Sequence, residues 1–224
     1  MKKLTKAIAL AGLMTSGLTG AQMAQAEVDV SASAAVASMY LWRGFDLGNG
    51  SPAVSGDITA SAGGAYATMW TSSGDSTYGN EYDFGVGYGG EVEGFSYDVS
   101  AWTYIYPSDT TGDGESNSFD LSELIVSLGY EGVSFSYYYP LAGDGNDDYS
   151  YMTLGYGMGA YSATVGISDD DKDANPGNIY THLDLSYAYT DSLSFTVSKV
   201  VSAEEETTED DTKFVVSYSL PIEM

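Results

Sequence analysis

Arg43 stands alone in this sequence: it is the only basic side chain between Lys6 and Lys172, while acidic residues are abundant. Six carboxylates, Asp57, Glu81, Asp83, Asp98, Glu123 and Asp184, fall on the polar side of segments that alternate polar and apolar residues. One guanidinium neutralises about one carboxylate through paired hydrogen bonds. If these groups share an interior, two compatible roles follow. Arg43 with Glu81 or Asp83 braces the surrounding wall, and the remaining carboxylates form a constriction that prefers cations. These seven residues are the candidate lumen site.

His182 and Asp184 form a His-x-Asp pair on one strand face, the second place where chemistry could occur. A catalytic triad needs a nucleophile beside the imidazole. No nucleophile motif, phosphate loop, nucleotide fingerprint or Cys/His metal set accompanies the pair, so a lumen hydrogen bond is expected and no enzyme activity. Acidic runs at Asp109, Asp113 and Glu115, at Asp144, Asp147 and Asp148, at 169–173, and at 204–211 could offer oxygen ligands to Ca²⁺. None matches the twelve-residue loop with its terminal Glu. Solvated acidic loops are the expectation, with divalent bridging to lipopolysaccharide phosphates as an intermediate reading. No metal and no cofactor is expected.

Twelve strands are predicted to position these residues, at 30–43, 53–62, 65–72, 80–90, 94–106, 118–130, 132–141, 148–157, 160–168, 178–189, 192–202 and 211–220. The fourth sets Tyr82, Phe84, Val86 and Tyr88 against Glu81, Asp83, Gly85 and Gly87. In the eleventh, Leu193, Phe195 and Val197 oppose Ser194, Thr196 and Ser198. A period of two with one apolar face is the strand signature. Connectors alternate short and long along the whole chain, as in transmembrane barrels with short periplasmic turns and longer outer loops. A soluble β-sandwich also alternates along its strands, but has no reason to put a long loop at every second connection.

Aromatics at both strand ends add a second argument for the barrel. Tyr104, Tyr106, Tyr138, Tyr149, Tyr151 and Tyr180 lie beside long loops, and Tyr88, Phe95, Tyr97, Tyr130, Tyr161, Tyr187 and Tyr189 beside short turns. Two aromatic girdles are what two membrane interfaces select. On this pattern Tyr40 and Trp42 face lipid and Arg43 faces the lumen.

Residues 1–26 read as a signal peptide. Lys2, Lys3 and Lys6 precede the apolar segment from Ala7 to Leu18, and Ala24-Gln25-Ala26 fits a small-x-small cleavage site. Residues 27–224 are then the barrel domain. Without the leader, four basic residues face 32 acids, a net charge of −28. Such a polyanion excludes nucleic acid as a partner and favours small cations. The absence of cysteine removes disulfides and thiolate metal sites. No stretch approaches the ~20 apolar residues of a membrane helix.

The segment Tyr40-Leu41-Trp42-Arg43-Gly44-Phe45 resembles the TorF-type porin family of proteobacterial outer-membrane proteins, formerly a conserved hypothetical family. The resemblance continues at Ser51-Pro52-Ala53-Val54, Glu81-Tyr82-Asp83, Ser96-Tyr97-Asp98, Tyr106-Pro107 and Glu123-Leu124, in order along most of the chain. It implies an outer-membrane barrel with a pore. The combined expectation is an all-β, antiparallel up-and-down transmembrane barrel of about twelve strands in the cell outer membrane of a Gram-negative cell. It touches membrane lipid and lipopolysaccharide, and small solutes or cations diffuse through a narrow acidic lumen. The alternative is a non-conducting barrel that binds ions or a partner. Twelve strands lie between the eight whose interior side chains fill and the ~16–18 of open channels. Nothing in the sequence marks an oligomer interface.

Overall fold

A computed structural model describes residues 27–107, 121–142, 149–170, 176–206 and 209–222. The predicted leader and much of the acidic loop sequence lie outside the described residues. Twelve antiparallel strands close into a barrel: β1 (Asp29–Ala37), β4 (Ala53–Ala62), β5 (Ala65–Asp75), β6 (Gly79–Val92), β7 (Phe95–Ile105), β8 (Leu121–Tyr130), β9 (Val133–Ala142), β10 (Ser150–Met158), β11 (Tyr161–Asp169), β12 (Tyr180–Ala188), β13 (Leu193–Ala203) and β14 (Lys213–Ile222). Each strand pairs with its sequence neighbours in the wall, and β1 closes the barrel against β14. Closure pairs every strand edge, which a hydrocarbon surround requires.

The wall's outside is apolar. Val86, Val99, Leu128, Val133, Leu154, Leu185 and Leu220 are all exposed there, while the alternate residues turn inward. Strands of 9 to 14 residues match the ~9–11 tilted residues that cross a bilayer. Gly63-Gly64, Glu93-Gly94 and Glu131-Gly132 make two-residue turns with both φ angles positive. This is the mirror-image turn whose twist suits a hairpin. β6 runs on to Val92, two residues past its predicted end at 90, and a two-residue turn joins it to β7.

One segment departs from the predicted wall. The first strand ends at Ala37 rather than at 43. The chain then leaves the barrel at the long-loop end and forms an inner hairpin of β2 (Leu41–Trp42) and β3 (Phe45–Asp46), hydrogen-bonded only to each other as a two-stranded sheet. Arg43 (φ 47°) and Gly44 (φ 90°) are its turn. Leu47 N–H donates to the Tyr40 carbonyl at 2.9 Å, extending the hairpin, and Ser76 N–H donates to the Leu47 carbonyl at 2.8 Å, tying its base to the β5–β6 connection. Asp46 accepts the Gly48 and Gly50 N–H groups at 2.9 and 2.6 Å, which rounds the return to β4. Leaving the wall buries Tyr40 and Leu41 inside the barrel and sets Trp42 against Arg43, so the lipid-facing assignment of both Tyr40 and Trp42 is corrected.

The aromatic pattern resolves in two ways. Beside the short turns, Tyr88, Phe95, Tyr130, Tyr161, Tyr187 and Tyr189 are exposed on the outside, the expected girdle. Beside the long loops, Tyr138, Tyr151 and Tyr180 are buried, and Tyr104, Tyr106 and Tyr149 bond to interior charged groups. The second predicted girdle is therefore the packing around the hairpin. Tyr139, exposed on the outer face near that end, belongs to the outside instead.

Candidate functional site

The hairpin inserts Arg43 into a closed set of partners. Its Nη2 donates to both Glu123 carboxylate oxygens, at 2.9 and 2.7 Å, and Nη1 donates to the Tyr149 hydroxyl. The guanidinium carbon lies 4.3 Å from the Tyr151 ring centre, 4.5 Å from Trp42 and 4.8 Å from Tyr138. A planar delocalised cation suits this combination of forked hydrogen bonds and ring faces better than an ammonium would. Tyr104 adds a 2.7 Å hydrogen bond to Glu123. The expected pairing of Arg43 with Glu81 or Asp83 is thus replaced by Glu123, because the hairpin carries the guanidinium across the bore towards β8.

Glu81 instead holds the other side of the hairpin. The Tyr40 hydroxyl donates to it, and the Tyr106 hydroxyl donates at 2.6 Å. Burial first, and then the Glu81 charge, push both phenols above their ordinary range, so they act as neutral donors. Asp83, next on the same face of β6, keeps Oδ1 without a hydrogen-bond partner among the described residues. Asp57 and Asp83 lie in one lateral row of the wall, through the register Asp57–Trp70–Asp83.

Opposite β6, the hairpin turn rests on β12. A Cβ added at Gly44 would lie 2.8 Å from His182 Cβ. Phe45 packs edge-on against Tyr180, with ring centres 4.7 Å apart. His182 is held between the Tyr151 hydroxyl at 2.7 Å and Asp184 at 3.1 Å. Any side chain at Gly166 would occupy the space of that imidazole–phenol contact.

The remaining predicted residues lie elsewhere on the inner wall. Asp57 accepts from Ser33, and Asp98 accepts from Tyr66 at 3.1 Å. The seven candidates therefore do not form one ring. Arg43, Glu123 and Glu81 meet at the hairpin with Asp83 alongside, whereas Asp57, Asp98 and Asp184 bond to Ser33, Tyr66 and His182 away from the guanidinium. Farther from the hairpin, hydroxyl pairs line the wall: Thr59–Thr68 at 2.8 Å, Ser127–Ser136 at 2.8 Å and Ser186–Thr196 at 2.9 Å. Sequence reasoning missed the tyrosines as partners of the charges. Their strand parity carried the signal, since Tyr104, Tyr138, Tyr151 and Tyr180 share faces with polar inward residues.

A wall of twelve paired strands, apolar outside and lined with hydroxyls and carboxylates inside, defines a membrane-type β-barrel whose bore is crossed by its own hairpin. The chain belongs to the bacterial family of unknown function Gcw_chp, whose model matches residues 21–216. No curated protein matches it. Among solved structures it is similar to a chain from work on the in-meso crystallization of membrane proteins (10% identity, TM-score 0.49, covering 86% of this chain and 83% of that one). It is also similar to Escherichia coli outer membrane phospholipase A (11%, 0.44, 84% and 88%) and to a triple mutant of Rh. blastica porin (15%, 0.40, 75% and 55%).

Proposed function

We propose that the protein is an outer-membrane porin through which small solutes, cations foremost, diffuse past a constriction formed by the inner hairpin. The observation that carries this reading is the hairpin layer itself, a set of charged and aromatic side chains that crosses the bore at the long-loop end. Beyond it the inner wall carries hydroxyl pairs together with Tyr66, Trp70 and Trp102, which narrow the bore further. Glu81 and Asp83, adjacent on one face of β6, set acidic oxygens beside the bore, with Asp83 Oδ1 unpartnered among the described residues, and such oxygens suit a cation.

The resemblance to TorF-type porins supports the same reading in a specific way. Most of its segments are the hairpin (40–45), its return to the wall (51–54), and residues that seat it, Glu81, Tyr106 and Glu123; Ser96-Tyr97-Asp98 lies elsewhere on the wall, where Asp98 accepts from Tyr66. The non-conducting barrel is favoured by two observations, the cross-bore anchoring of the hairpin at both Glu81 and Glu123 and the Tyr66, Trp70 and Trp102 side chains on the inner wall. Planar-bilayer recordings of refolded protein in a KCl gradient separate the two. The porin reading expects open-channel current with a cation-selective reversal potential, reduced by neutralising Glu81 and Asp83 together. Correctly folded protein that passes no current favours the closed barrel.

A further inference from the structure

Above the Arg43–Glu123 pair lies a cavity of about 570 Å³, open among the described residues towards the long-loop end and bounded by Trp42, Phe45, Tyr149, Tyr180, Glu205 and Glu209 among others. We propose that this vestibule binds flat organic cations, an aromatic or quaternary ammonium group entering between the rings. This inference deepens the cation-preferring porin reading and rests on it for the direction of traffic.

Three observations assign the ligand class. The volume falls within the ~300–1,000 Å³ of small-molecule pockets. The Arg43 charge at the floor is balanced by Glu123 through two hydrogen bonds, which weakens its pull on an anion. Aromatic rings form much of the wall and favour a cation over their faces. At the edge, the Glu205 carboxylate lies over Gly177, where an added Cβ would approach it to 2.7 Å, and Glu209 is exposed nearby. This side of the vestibule is held in shape where Glu204 N–H donates to the Ile179 carbonyl at 3.1 Å. The whole chain carries −25, so its field draws cations to this mouth and repels anions.

The test is an NMR titration of the refolded full chain in detergent, following the Trp42 indole N–H, assigned with Trp42→Phe. The probes are benzyltrimethylammonium, benzyl alcohol and benzenesulfonate. Expected is a saturable shift with benzyltrimethylammonium that weakens as salt rises. Binding should fall roughly three- to tenfold in Glu205→Gln/Glu209→Gln, whose exposed sites leave the barrel intact. An equal shift with benzyl alcohol or benzenesulfonate overturns the proposal, as does unchanged binding in the double variant or no saturable shift. Conductance without titration overturns this inference and leaves the porin reading standing. Titration without conductance keeps the vestibule and removes the pore.

Discussion

Arg43 bonds to Glu123 where both side chains are nearly free of solvent, at 8% and 2% exposure. Truncating one member of a buried pair leaves the other uncompensated, at a cost of about 3 kcal/mol or more. Arg43→Ala is expected to spend that cost on the docking of the hairpin, not on the wall, because the hairpin pairs with no wall strand. Amide exchange of residues 40–47 should accelerate while that of the wall strands is unchanged. A cycle of Arg43→Ala, Glu123→Gln and the double variant should show strong coupling, since the second change removes the stranded charge. Gly44 gives a second contrast at the same scale. Gly44→Ala places a Cβ 2.8 Å from His182 on a left-handed backbone, whereas Gly50→Ala meets no atom within 4 Å. Gly50→Ala should cost only the backbone penalty, about 1–2 kcal/mol. Gly44→Ala should cost more and displace the hairpin, visible as lost contacts between residue 44 and the His182 ring in NMR spectra.

Elements were legible where burial imposes a period, and less so where the chain turns inward. Alternation of Phe84, Val86 and Tyr88 against Glu81 and Asp83 locates β6, and the same logic locates the other wall strands within a few residues. Tyr40-Leu41-Trp42-Arg43 alternates just as well, so a pattern of period two cannot separate a longer β1 from a hairpin folded inside. Two signals do separate them. Arg43-Gly44 flanked by Trp42 and Phe45 is a two-residue hairpin turn, and Gly48 with Gly50 supplies the return. The long-loop tyrosines show a related limit: proximity to a strand end suggests a girdle, but the parity of Tyr104 with Asp98 and of Tyr180 with His182 marks them as interior. The wall's two faces should respond oppositely to charge. Val86→Arg, on the outer face near the middle of β6, is expected to cost about 2–4 kcal/mol in a folding titration into bilayers. Ser134→Asp, on the inner face of β9, should leave folding unchanged and shift ion selectivity towards cations.

For the whole molecule, twelve strands make a bore that side chains alone need not fill, and the chain supplies its own obstruction. The hairpin spans from Glu81 on β6 to Glu123 on β8 and to His182 and Tyr180 on β12, so removing it opens the bore without breaking a strand pair of the wall. On the proposed porin reading, membrane location and passage have separate structural causes: the apolar outside with its closed hydrogen bonding, and the hairpin layer within. Single-channel conductance of the full protein against a variant with residues 40–46 replaced by a short Gly-Ser link tests this most directly. A larger, still cation-preferring conductance in the variant is predicted; equal conductance in both, or none from a correctly folded variant barrel, would contradict the account.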